Sequence, residues 1–475
     1  MRLRTTAVLL ATAMTPLALA LTAPTAHAVT AAAPYDFNGD GRRDAAIGAP
    51  AATVAGQAKA GAVSVVYAGT SGLKASTHTT ITQNTAGIPG TAETDDAFGA
   101  AVASADLNTD GYADLLVGAP GEDSSDTDNG TVVIVWGAKS GLSGARTLFS
   151  FFDRDYDRYG QALTTGDFDD DGDTDVAVGS TGPTTLSVVN GPITRTGAHN
   201  GGGGSQSHWS WSPSYGVTHL TSAETSGDGH GRVVMHGRAV DTDDAITDVA
   251  DLRIGNYTDW LQNLPAGYVS AVGDIDRDGH ADFAVGNDRE PSADPSGAKG
   301  GKVTVVYGGP DGVATDRARL VLTQDTAGVP GASEAGDRFG SGVALGDVNG
   351  DGYADLAVGA AGEDSAAGAV TVLYGSASGL KTTGATTWTQ NTAGVPGGSE
   401  KGDRFGTRVL LADHTGDHRA DLTVSAPGEN SGDGAVWTLR GTPTGLTATG
   451  ATSFGPAATG VPTTGSPGYG TTLGG

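Results

Sequence analysis

The chain has 475 residues, with 54 acidic against 27 basic side chains and a formal net charge of −27. That balance excludes a nucleic-acid partner, because phosphate would be repelled. There is no cysteine to brace the fold, and 77 glycines with 6% aromatic residues leave little bulk for an ordinary core.

Arg2 and Arg4 precede an uncharged stretch, 5–21, and Ala26-His27-Ala28 fits small-x-small cleavage. Residues 1–28 therefore read as a secretory signal peptide, with a single domain over 29–475. No later stretch could span a bilayer. The expectation is a secreted, extracellular monomer without a membrane span.

Beyond the leader the chain repeats itself. TQNTAGIPGTAETDDAFG (82–99) returns as TQDTAGVPGASEAGDRFG (323–340) and TQNTAGVPGGSEKGDRFG (389–406). After each come a short apolar run, an acidic loop, a second apolar run and a third, bounded by Gly, Asp and Pro. These are strands with tight turns, and four per repeat make one propeller blade. Second strands such as LLVGA and DLAVGA are apolar on both faces, as befits a strand between neighbouring sheets. A fourth run in the second repeat is placed at 147–152.

Acidic loops begin at Asp36, Asp106, Asp167, Asp274, Asp347 and Asp413, and the gap of 107 after Asp167 is too long. A decayed copy fills it: Tyr215-Gly216, then ETSGDGHGR (224–232), with later strands expected over 248–255 and 258–263. Seven repeats result. The first lacks the aromatic-Gly strand that precedes the other loops, and Tyr469-Gly470 at the C-terminus has that strand without a loop. The expected fold class is therefore all-β: a seven-bladed β-propeller of four-stranded blades, closed by pairing of its N- and C-terminal segments.

The loops follow D-x-[DN]-x-D-G-x-x-D and hold 22 of the 54 acidic side chains. Oxygen-bearing side chains fall at positions 1, 3, 5 and 9. Glycine at position 6 makes the bend, and the position 7 carbonyl is a further ligand. Such all-oxygen cages suit calcium. The first candidate site is Asp36, Asn38, Asp40, Arg42 and Asp44; the second is Asp106, Asn108, Asp110, Tyr112 and Asp114. The third is Asp167, Asp169, Asp171, Asp173 and Asp175. The fifth is Asp274, Asp276, Asp278, His280 and Asp282, and the sixth Asp347, Asn349, Asp351, Tyr353 and Asp355. Arg42, Tyr112, Asp173, His280 and Tyr353 enter through their carbonyls. Repeat seven keeps Asp413, Thr415, Asp417 and Asp421 but has His418 for the glycine. Repeat four has Arg232 at position 9, which repels a cation. Five calcium ions are expected, six if repeat seven tolerates its histidine.

Phe-Gly before the strand, D-x-N-x-D-G-x-x-D in the loop and Gly48-Ala49-Pro50 or Gly118-Ala119-Pro120 after it resemble the FG-GAP repeats of the integrin α-subunit N-terminal propeller. The resemblance covers the whole chain after the leader. It implies seven blades, calcium in hairpins on one face and partner contact on the other. The integrin leg domains and membrane helix have no counterpart here, so a signalling receptor is not implied.

The function expected is an adhesion-like binding module for an unknown extracellular protein or glycan. Candidate surfaces are 121–130, 362–368 and 428–434, opposite the metal hairpins, with Trp209 and Trp211 as stacking candidates better explained by packing. The alternatives are a hydrolase with carboxylates assembled in the central channel or loops, and a purely structural surface protein. No H-E-x-x-H or G-x-S-x-G motif is present, and no catalytic residue is assigned.

Overall fold

The computed structural model describes residues 30–123, 127–148, 157–181, 185–199, 203–206, 211–212, 214–224, 231–250, 264–310 and 312–475. The leader, Trp209, Asp228 and the expected strand at 258–263 lie outside them. Among the described residues, no helix is long and apolar enough to cross a membrane.

Small, β-branched and apolar runs punctuated by glycine have formed seven antiparallel sheets, the blades of a propeller. Six have four strands, and the fourth blade has three among the described residues. Second strands such as Asp114–Ala119 and Asp355–Ala360 are buried throughout, sandwiched between neighbouring blades.

The inner strands are Ala101–Ala105, Asp157–Gly166, Val217–Glu224, Val269–Gly273, Phe339–Gly346, Val409–Ala412 and Thr472–Gly474. Each touches the next, and the last touches the first, so the ring is closed. Closure comes from the C-terminal strand: Leu473 lies opposite Ile47 in the first blade. Tyr469 is fully buried there, edge-on to Phe454 at 6.5 Å, with its hydroxyl donating to Ser64 Oγ at 3.3 Å.

The aromatic-glycine pairs hold blade to blade. Phe98, Tyr159, Phe339, Phe405 and Tyr469 each form a parallel bridge to a glycine of the preceding blade. After Phe98, Tyr159, Phe339 and Phe405 the glycine then meets the glycine of the preceding second strand, while Gly470 after Tyr469 meets Ser425. A Cβ on Gly118 would stand 1.9 Å from the Gly160 carbonyl oxygen, and one on Gly359 equally close to that of Gly406. No side chain fits at either contact.

Three placements differ from the sequence reading. The fourth blade's third strand begins at Ala245 rather than 248, because a tight turn, with Ala239 N–H donating to the Asp244 carbonyl at 2.9 Å, returns the chain early; 251–255 of the expected strand lie outside the described residues. The second blade's outer strand begins at Ala145 rather than 147, and 149–152 of the expected run lie outside the described residues. The fifth blade enters through Ala266-Gly267, so its aromatic is missing while the glycine stays.

Deletion of residues 466–475 is expected to expose the edge of Ala45–Ala49 and lower the melting temperature by several degrees, with soluble aggregates in size-exclusion chromatography. A truncated protein as monodisperse and heat-stable as the parent would show that this strand does not close the ring.

Candidate metal centres

Each acidic loop leaves an inner strand at position 1 and enters the second strand at position 9. The register is constant: Ala105 faces Asp114, Gly166 faces Asp175, Gly273 faces Asp282, Gly346 faces Asp355 and Ala412 faces Asp421. Ala223 faces Arg232 in the same way, so position 9 of the fourth blade keeps the register. Arg232 is buried there.

The position 1 carboxylate shapes the turn. Asp36 accepts the N–H groups of Asp40 and Gly41 at 2.9 and 2.8 Å. Asp106, Asp274 and Asp347 repeat both bonds, and Asp167 accepts from Asp170 and Gly172. Position 6 is left-handed, from φ 82° at Gly41 to 89° at Gly172. His418 adopts the same region at φ 64°, and its N–H still donates to Asp413 at 2.7 Å. The seventh loop therefore keeps its bend, at the steric cost of a side chain in that conformation.

At position 3, Asn38 and Asn349 accept the N–H of position 5, while Thr415 donates to Asp413. Both amide atoms of Asn108, and Asp169 Oδ1, are buried without a hydrogen-bond partner. Position 5 carboxylates accept the N–H of position 7: Arg42 to Asp40, Tyr112 to Asp110, Asp173 to Asp171, His280 to Asp278 and Tyr353 to Asp351. Carboxylate oxygens of Asp167, Asp169 and Asp175 lie within 4.8 Å of one another, as do those of Asp274, Asp276 and Asp282. Orphaned oxygens and converging carboxylates with few donors among them suit a hard cation.

Position 9 has a second task that spacing did not reveal. Asp114 accepts the N–H of Leu107 at 3.1 Å and of Gly137 at 2.8 Å, tying the loop to the end of the third strand. Asp44, Asp175, Asp282 and Asp355 make the same pair of bonds. The position 2 donors (Phe37, Leu107, Phe168, Ile275 and Val348) are buried apolar residues that anchor the loop. In the seventh blade His414 takes that place, its N–H goes to Ala412, and Asp421 Oδ2 is left unsatisfied. Four arginines were also missed as loop partners. Arg42 pairs with Asp40 at 3.3 Å, Arg195 with Asp110 at 3.0 Å, Arg419 with Asp417 at 2.7 Å, and Arg317 with Asp276.

The loops also join blades. Ala113 N–H donates to the Asp36 carbonyl at 3.0 Å, Gly231 to Asp167 at 2.7 Å, Ala354 to Asp274 at 2.9 Å and Ala420 to Asp347 at 2.7 Å. Arg43 donates to Asp413 at 3.2 Å, which carries the contact across the closure.

The FG-GAP repeat profile matches residues 28–66, 98–135, 266–306, 339–373 and 405–439, which are blades one, two, five, six and seven. Five of the seven blades carry FG-GAP repeats. Their FG and GAP glycines are the ones that meet between blades. The FG-GAP chain is 32% identical over 162 residues to phosphatidylinositol-glycan-specific phospholipase D of Rattus norvegicus, covering 34% of this chain and 19% of that protein. It is 42% identical over 83 residues to integrin alpha-4 of Xenopus laevis, covering 17% of this chain and 8% of that one. It thus spans under a fifth of the length of either relative. Among solved structures, the Dos1 propeller aligns over 70% of this chain and 68% of its own, with a TM-score of 0.33 and 10% identity.

Trp211 of this FG-GAP chain is 2% exposed, so it packs in the core and offers no stacking face. The loops opposite the hairpins hold exposed left-handed residues, Asp364 and Ser365 in one and Asn430 and Ser431 in another.

Burial pushes the position 9 carboxyls up despite their amide bonds, and the neighbouring carboxylates add to it. Asp44, Asp114, Asp175 and Asp355 rise to about 7, and Asp282 and Asp421 to about 6. A folded-state value above the unfolded one gives stability that is present below the unfolded value and lost as pH rises through the folded value. In chelator, the melting temperature is therefore expected to fall between pH 5 and pH 8. A flat profile across that window would show that these carboxyls are not destabilised in the folded state.

Proposed function

We propose that this chain is a secreted, calcium-stabilised propeller that serves as an extracellular binding module for a protein or a glycan. The observation that carries the reading is the convergence of carboxylate oxygens in the third and fifth hairpins, which also bond one blade to the next. A cation there offsets the mutual repulsion of the position 1, 3 and 9 carboxylates and ties strands in a chain without disulfides. The ligands are then Asp36, Asn38, Asp40 and Asp44 with the Arg42 carbonyl, and the equivalent residues of blades two, three, five and six. The leader over 1–28 would deliver the chain to a calcium-rich compartment, where affinities of roughly 10⁻⁴–10⁻³ M suffice.

The rim opposite the hairpins supports the binding half of the reading. Left-handed turns at 363–366 and 429–432 present exposed Asp364, Ser365 and Asn430 on a rigid frame. Non-glycine residues cost free energy in that conformation, and such turns gather where a surface is used.

Native mass spectrometry in calcium is expected to count five ions, or six with the seventh blade. Seven would overturn the assignment of Arg232, and three or fewer would overturn the cages. At tenfold excess over Kd each ion adds about 1.4 kcal/mol to stability. Calorimetry in calcium against chelator should accordingly show a rise of many degrees, and an unchanged transition would remove the metal from the fold.

A glycan array and a pull-down from extracellular material test the partner. Capture by the intact rim, lost when Asp364, Ser365, Asn430 and Ser431 are all replaced by alanine or glycine, is the expected result. Capture that survives those changes would place the contact elsewhere.

A further inference from the structure

The inner strands line a central cavity of about 420 Å³, and every blade contributes to its wall. Its size suits a small molecule. One ring of positions can be followed around it by register, at the residue paired with the second-strand glycine or its equivalent. Five blades place Thr472, Ala101, Ala162, Val269 and Gly342 there. The fourth blade places His219, opposite His236, and the seventh places Arg408, whose carbonyl accepts the N–H of Ser425 at 3.0 Å. Blades four and seven are as far apart as a ring of seven permits, so two large nitrogen-bearing side chains face each other among small ones.

No described residue lining the cavity is a carboxylate. This places no carboxylate pair on the described part of the wall. It also leaves Arg408 without an ion-pair partner among the described residues. Its one hydrogen bond is long, 3.5 Å from Nη1 to the Ser341 carbonyl. Asp288, whose charge reaches it, is already engaged by Arg338, with Nε at 2.8 Å. Burial lowers the guanidinium from its ordinary value, yet arginine stays charged at any physiological pH. Burial first, then the His236 ring and the Arg408 charge, hold His219 at about 3, so its imidazole is neutral. The wall thus presents a half-buried cation, held by one long hydrogen bond and only the shared charge of Asp288, beside neutral hydrogen-bonding groups. Thr221 Oγ1 lies 3.1 Å from His219 Nε2, and Ser270 Oγ donates to Thr221 at 2.9 Å. Most of the guanidinium fork is unused by the protein, and an anion in the cavity would be held by those donors where the surrounding wall screens charge less than open water does.

We propose that the central cavity is a binding site for a small anion, a carboxylate or an oxyanion group held by the Arg408 fork, with His219 and Thr221 on the facing wall. Planar bidentate capture by guanidinium suits such groups and not neutral sugars. The site uses neither the rim loops nor the metal hairpins, so it stands or falls apart from the proposed partner and from calcium.

Isothermal titration calorimetry on the full calcium-loaded chain, in chloride buffer, tests it with sodium acetate, sodium sulfate and sodium D-glucuronate, and with D-glucose as the neutral control. One site per chain is expected, shared by the anions and silent to glucose. Glucuronate well ahead of acetate would identify a sugar acid, and equal binding a bare anion. Arg408→Gln should weaken binding at least tenfold while leaving the melting temperature in anion-free buffer unchanged or higher. No heat from any anion, or equal affinity in R408Q, overturns the proposal. Should R408Q not fold, the parent chain decides it by NMR of arginine Nε–H groups. Sulfate must then shift one buried arginine signal, and a spectrum without such a shift is equally fatal.

Discussion

Two glycines facing each other between blades set the terms for the rest of this molecule. The second-strand glycine of one blade rests against the carbonyl of the aromatic-glycine pair of the next, closer than any Cβ allows. That approach brings inner strands into contact around the ring, and it draws the aromatic ring into the seam. Phe98, Phe339 and Phe405 are fully buried as a result. Burying each such ring contributes about 1.5–3 kcal/mol. The seams therefore do for this chain what a single large core does elsewhere, with little aromatic mass.

The fourth blade has changed that contact. Its second strand carries His236 where other blades have a small residue, and no glycine-on-glycine approach is available there. The imidazole is instead fully buried and bonded, with Nδ1 donating to the Gly267 carbonyl at 3.0 Å and Nε2 facing Ser270 Oγ at 2.8 Å. A polar side chain replaces a backbone contact, and its bonds make the substitution tolerable. The same blade has lost its carboxylate at position 9 and lies outside the matched repeats.

The acidic loops depend on this frame and also reinforce it. Each is folded by its own position 1 carboxylate, anchored by an apolar residue at position 2, and tied to the third strand through position 9. A carboxylate that already accepts two backbone N–H bonds retains lone pairs for a cation. Structural clamp and metal ligand are therefore compatible roles for Asp114 and its equivalents. What the amide bonds do not offset is the burial of several neighbouring charges, which is why these carboxyls sit high.

The repeat number, the ring and its closure were legible in the sequence, because each blade is a local unit with strands adjacent along the chain. The turns of the acidic loops were legible too, since their hydrogen bonds are made within nine positions. The role of position 9 was not, because its partners Ala68, Gly137 and Gly375 lie a strand away. Nor were Arg195 and Arg317, which reach their carboxylates, 85 and 41 positions distant, only once the strands are placed. The facing of His219 and Arg408 is the most distant case. Sequence determined that each stands on an inner strand. Only the closing of the ring put them across one cavity, since register fixes the level of a side chain and the number of blades fixes what lies opposite.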